Sequence, residues 1–333
     1  MSRVSEPASR ETLRLIDFYQ PITQSLAQVE QILRREMQSD FPAVDAMTRY
    51  GFRMGGKRLR PALLLLTAQT LGQVQSAHLV LAAVVEMIHT ATLVHDDVLD
   101  GADVRRHRPT VNRQWGNRAS ILLGDYLFSH AFYLAATLDS ALACRLIGRA
   151  TNRVCEGEIR QNDSCGNWEL SEDEYYSLID AKTAELCACC CHLGAHYAGA
   201  GEDESRRWAH YGRLIGMAFQ IVDDILDMEG REAETGKSLG TDLAQQKPTL
   251  PTIHAVQQTP PDDRPTLLEL LKTGANARGA LEPYFLKHGS LEYARQKALA
   301  FAQQATQIAA SAPVSEAQRV LEQLPLALLK RTG

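Results

Sequence analysis

The sequence predicts an all-α fold, and three observations carry that expectation. No proline occurs between Pro109 and Pro248, and the glycines in that interval are mostly isolated. A stretch so long without a breaker, rich in Ala, Leu, Arg and Glu, runs as consecutive helices. The alternation of apolar and polar positions that marks strands is nowhere convincing. Two long apolar stretches, Ala77 to Asp100 and Glu204 to Met228, each carry a cluster of aspartates near their ends; segments apolar on most faces belong at the centre of a helical assembly.

Taken in order, Leu13 to Met37 is an amphipathic segment broken at Pro21. Pro61 to Thr70 starts with proline at a first helical position and ends near Gly72. The central stretch to Asp100 follows, then Val111 to Leu138 and Ala141 to Arg160. Ser171-Glu172-Asp173-Glu174 offers a capping box for the next helix. Beyond Glu204 to Met228, which Gly230 stops, Glu229 to Pro251 is polar and glycine-containing and is expected to be a mobile loop. Thr259 to Pro265 is a proline-rich turn, and the remainder is helical.

The chain has 333 residues, of which 45% are hydrophobic and 23% charged, an ordinary globular composition. Its length alone would suit two domains, but residues from both halves serve one site, so a single domain over 1–333 is expected, with a motif-bearing core at about 40–255 and C-terminal helices beyond it. A formal charge of -5 gives no reason to expect nucleic acid as a partner. Seven cysteines follow a polar beginning without an apolar leader, which points to reduced thiols and a cytoplasmic setting. The run Cys187-Ala188-Cys189-Cys190-Cys191 lacks zinc-module spacing and reads as a small-residue helix wall. No uninterrupted apolar run reaches the ~20 residues of a membrane span; Leu79 to Val94 is interrupted by Glu86 and His89.

Chemistry concentrates in a repeated pattern, Asp96-Asp97-Val98-Leu99-Asp100 and Asp223-Asp224-Ile225-Leu226-Asp227. Positions i and i+4 share a helix face, so Asp96 and Asp100 reach one ligand cluster, while Asp97 points about 100° away. Carboxylates crowded on one turn repel unless a cation neutralises them, and hard oxygen donors suit Mg2+ bridging to substrate phosphates. A solvated acidic face would not be embedded in apolar helix twice over. The basic counterpart is Gly55-Gly56-Lys57-Arg58-Leu59-Arg60-Pro61, at a helix start where free N–H groups and the dipole favour an anion. Arg105, Arg106, Lys237 and Lys247 add cations after the two aspartate motifs. Two acidic clusters and several basic groups imply two diphosphates, one held through metal and one directly.

With these residues in view, the chain resembles the trans-type (head-to-tail) isoprenyl diphosphate synthases, especially their longer-chain members, from about residue 40 to 255. The resemblance implies one bundle of mostly antiparallel helices around a central apolar cavity, usually a homodimer, with Mg2+ as cofactor, three ions per active site. It assigns Gly56, Lys57, Arg60, His89 and Arg106 to isopentenyl diphosphate. Arg105, Lys182, Thr183 and Gln220 fall to the allylic diphosphate, Lys237 to a substrate-binding closing loop, and Asp96, Asp97, Asp100, Asp223, Asp224 and Asp227 to magnesium. Asp96, Arg105, Lys182, Thr183 and Gln220 carry the catalysis: ionisation of the allylic diphosphate, attack by the isopentenyl double bond and loss of a proton to the released diphosphate. His107 stands where the family usually has glycine.

In short-product members bulky aromatics lie four and five residues before the first motif and block the cavity. Thr92 and Ala91 hold those places here, roughly 6 to 7.5 Å deeper along the helix. A trans-polyprenyl product of about C30–C45 is therefore expected, with a farnesyl or geranylgeranyl product as the alternative. Peripheral membrane contact would serve release of so long a chain. A class I terpene cyclase would carry an Asn/Ser/Glu second metal motif and no Gly-Gly-Lys-Arg-Leu-Arg site, and a non-catalytic prenyl synthase subunit would have lost aspartates; neither description fits.

Overall fold

The computed structural model describes residues 15–53, 56–138, 140–229, 240–274 and 278–330. It is all-α; among the described residues the only sheet is a two-stranded hairpin. The segment Leu15–Ile22 forms a 3₁₀ turn containing Pro21, and α1 (Thr23–Glu36) follows, as the break at proline predicts. Pro42–Arg53 forms α2, which the sequence pattern does not single out. In α3 (Leu59–Leu71) the proline lies within the first turn rather than at its start, because Arg58 caps the helix from the left-handed region at φ 49.

Helix α4 (Ser76–Leu99) is central: Leu81 to Val85, Met87, Ile88, Ala91 and Val94 are buried. By length and hydropathy it could cross a bilayer, yet 67% of its most apolar window is buried among its neighbours. The hairpin β1 (Val104–Arg105) and β2 (Arg108–Pro109) comes next, with Arg105 paired to Arg108. The predicted helix from Val111 to Leu138 is interrupted at Gly116 (φ 84), giving α5 (Val111–Trp115) and α6 (Asn117–Ala136). Next is α7 (Ala141–Asp163), and Ser171 then caps α8 (Glu172–Ile179) by the expected box: its Oγ accepts from the Glu174 N–H, and Glu174 accepts from the Ser171 N–H at 2.9 Å.

A five-residue π turn, Asp180–Ala184, joins α8 to α9 (Glu185–Tyr197). The long α10 (Glu202–Glu229) packs most extensively on α9. Residues 230–239, in the expected mobile loop, lie outside the described residues; the rest of that loop contains a short helix, α11 (Thr241–Ala244). Five further helices close the fold: α12 (Leu250–Gln258), α13 (Arg264–Lys272), α14 (Arg278–His288), α15 (Ser290–Ala310) and α16 (Glu316–Leu328). The last two cover α10 and α3.

Helix α9 is the small-residue wall expected of its cysteines. Cys187, Cys189, Cys190 and Cys191 are buried, and desolvation holds all four thiols in the neutral form. Close approach explains the small residues: a side chain at Gly212 of α10 would collide with the Cys187 carbonyl, and one at Gly194 of α9 with the Leu64 carbonyl of α3.

Candidate active site

The first aspartate motif closes α4. Asp97 is fully buried, and its Oδ1 accepts from Arg105 Nε at 2.7 Å, so the arginine folds back from the hairpin onto the helix. Asp100, the C-cap, accepts from Lys247 Nζ at 3.0 Å. The Asp96 carboxyl is pushed up to about 7, first by burial and then by Glu158 and Asp100, against the pull of Lys182 and Arg105. Lys182, from the π turn, donates to Glu158 at 2.7 Å and to Gln161 at 2.9 Å, both on α7.

The second motif lies near the end of α10 and repeats this arrangement. Asp224 is buried; one oxygen accepts from the Tyr175 hydroxyl at 2.6 Å and the other from Gln220 Nε2 at 2.8 Å. Gln220 in turn accepts from the Thr183 hydroxyl at 2.7 Å. Burial raises the Asp224 carboxyl to about 7 even with these donors. Asp227 caps α11, accepting from the Thr241 hydroxyl at 2.9 Å and from the Thr241 and Asp242 N–H groups at 3.2 Å. Asp242 sits among Asp223, Asp224 and Asp227 and faces Lys247; burial and those neighbours push its carboxyl well above the usual range. Lys247 therefore pairs with Asp100 through its ammonium and donates its backbone N–H to the Asp242 carbonyl at 2.8 Å, which brings both motifs to one mouth.

A separate basic pocket opens beside them, lined by Gly51, Arg58, Glu86, His89, Thr90, Leu93, Arg105 and Arg106. Arg58 is anchored by Glu30 at 2.6 Å and Glu86 at 2.5 Å. His89 is held well below its ordinary pKa by burial and then by Arg60, Arg106, Arg105 and Arg58, so its ring is neutral. Any side chain at Gly56 would lie 3.0 Å from the Arg106 guanidinium, so the glycine lets the two basic loops meet. The Arg60 Nε is buried without a hydrogen-bond partner, a donor left open to a ligand. Lys57 is exposed, and the Tyr19 hydroxyl donates to its carbonyl at 2.8 Å. Lys237 lies outside the described residues.

Sequence reasoning gave no role to Tyr175, Glu158 or Gln161 and placed Asp242 only within the expected loop after the second motif; all four meet the named residues only through the fold. Among the described residues no three acidic, histidine or cysteine side chains converge tightly enough to cage an ion by themselves. The donor set nonetheless fits magnesium. It is all oxygen, burial and then neighbouring carboxylates raise the Asp96 and Asp224 carboxyls, and this ion is commonly held by one or two carboxylates with substrate phosphates completing the shell.

Comparison with known proteins agrees with this arrangement. The polyprenyl synthetase family model matches residues 41–285. The octaprenyl diphosphate synthase of Haemophilus influenzae is 36% identical over 315 residues, covering 94% of this chain and 96% of that one. A decaprenyl diphosphate synthase from Rhodobacter capsulatus superposes with a TM-score of 0.90 at 34% identity, over 96% of this chain and 100% of that one. A polyprenyl synthase from Caulobacter crescentus, solved with calcium and isoprenyl diphosphate, gives 0.91 at 31% identity, over 98% and 100%. The chain belongs to the polyprenyl synthetase family of prenyltransferases.

Proposed function

We propose that the chain condenses isopentenyl diphosphate head-to-tail with an allylic diphosphate to make a trans-polyprenyl diphosphate of about C30–C45. The observation that carries this reading is the pairing of two aspartate clusters at one mouth with a basic pocket beside them. Lys57, Arg60 and Arg106 hold the isopentenyl diphosphate, joined by a neutral N–H of His89. Lys182 and Arg105 hold the allylic diphosphate, and the family resemblance adds Lys237 to the substrate-binding groups. Thr183 and Gln220, locked oxygen to oxygen through the Thr183 proton, present fixed dipoles to the allylic cation as its C–O bond breaks.

Asp96, Asp100, Asp223 and Asp227 are the carboxylates available to magnesium. Asp97 and Asp224, buried and bonded to Arg105, Tyr175 and Gln220, serve as the supports that aim them, which narrows the metal set the motifs alone suggest. Magnesium, when bound, supplies charge to the departing diphosphate; three ions fit the family resemblance. Ala91 is buried and small, which supports a long product. We further take the chain to be one cytoplasmic domain. It forms a homodimer through α6, where Ile121, Leu122 and Tyr133 are each exposed, and touches the membrane only peripherally to release product. Release of inorganic diphosphate from isopentenyl plus farnesyl diphosphate, abolished by EDTA and restored by Mg2+, is the expected result; no release with both substrates present contradicts the reading.

A further inference from the structure

The π turn Asp180–Ala184 interrupts an otherwise continuous helix at the two residues, Lys182 and Thr183, that face α7 and α10. A wider turn of this kind is intrinsically less favourable than α-helix and persists where surroundings hold it. What holds this one is visible. Arg213 of α10 bridges Asp180 with one guanidinium nitrogen and Glu185 with the other. These carboxylates are the first residue of the turn and the residue just after it. Five residues apart on an ordinary α-helix they would point about 140° from each other, and one guanidinium could not join them; the π turn brings them to the same side.

The register is fixed elsewhere too. Arg213, Gly216 and Gln220 form one stripe of α10: Gly216 lets Ala184 press against the helix backbone, and Gln220 accepts from Thr183. On the opposite side any side chain at Gly157 of α7 would sit 2.7 Å from the Lys182 nitrogen. Glu185 is only 8% exposed, and its other contact is Arg149 at 3.5 Å, itself 71% exposed. Without Arg213 a buried carboxylate is left almost uncompensated, which favours relaxation of the turn.

We propose that Arg213 is a positioning residue for the allylic half of the site, clamping Asp180 to Glu185 so that the π turn presents Lys182 and Thr183 together. The proposal rests on the reading that Lys182 and Thr183 serve the allylic diphosphate. It touches nothing in the isopentenyl pocket, and that separation supplies the test.

Steady-state kinetics of the full-length enzyme with Mg2+, isopentenyl and farnesyl diphosphate would compare wild type, Arg213→Gln and Lys182→Ala. Arg213→Gln is expected to lower kcat by about 100-fold, as small misplacements of reacting groups do. It should raise KM for the allylic substrate and leave KM for isopentenyl diphosphate within about two-fold, a split that general destabilisation does not produce. Arg213→Gln and Glu185→Gln are expected to be strongly non-additive. Wild-type kcat in Arg213→Gln alongside an inactive Lys182→Ala overturns the clamp alone; wild-type kcat in Lys182→Ala overturns the reading beneath it. Should Arg213→Gln fail to fold, Asp180→Asn removes one arm at a partly exposed group, and a kcat loss of about 10-fold with unchanged isopentenyl KM is expected, unchanged kcat being the contrary result.

Discussion

Individual residues decide how charge is handled at this site. His89 is half-buried and surrounded by arginines, so it contributes a hydrogen bond rather than a charge to the basic pocket. Its ring resonances in a pH titration of the free enzyme should remain those of neutral imidazole as pH falls from 8 through about 6.5, where an exposed histidine is half protonated. A midpoint at or above that value would contradict the pocket described. His107 is the other informative residue. It and Arg106 form the two-residue tip of the hairpin at φ 60 and 52, the left-handed pair a tight hairpin demands. The family's usual glycine suits that backbone and histidine does not, so His107→Gly is expected to stabilise the fold by up to about 1 kcal/mol in urea unfolding. A loss of stability would show that the ring makes compensating contacts.

At the scale of elements, the sequence was most legible where periodicity and punctuation agree. Helices α4, α7 and α10 and the capped start of α8 stand within a few residues of their expected places, because burial pattern, proline and the Ser171 box all act locally. The site residues on those helices were legible for the same reason. The π turn was not, since its wide geometry depends on Arg213, Gly157 and Gly216, all distant in sequence. Nor was α11, which exists because Asp227 of the preceding helix caps it. The hairpin escaped notice because two-residue strands leave no alternation to read. Tertiary contact also reverses a propensity rule at Gly212. Alanine there would gain about 1 kcal/mol in an open helix. Against the Cys187 carbonyl, however, Gly212→Ala should cost about 1–3 kcal/mol by overpacking, measurable as a lowered urea midpoint.

The whole molecule joins what no single stretch contains. Asp96 and Asp100 come from the end of α4, Asp223 and Asp227 from the end of α10, and Lys247 of the following loop, paired with Asp100 and bonded through its backbone N–H to Asp242, ties the two motifs together at one mouth. In the proposed reaction the growing chain extends along α4 below that mouth, past Thr92 and Ala91, neither of which is aromatic. Ala91→Phe should place a ring at that depth and shift the product to farnesyl or geranylgeranyl length while condensation continues. The measurement that tests the central claim most directly is chromatography of the products formed by the wild-type enzyme from labelled isopentenyl diphosphate, a farnesyl diphosphate starter and Mg2+. The account predicts a trans-polyprenyl series ending at about C30–C45; products that stop at geranylgeranyl length, or none at all, would contradict it.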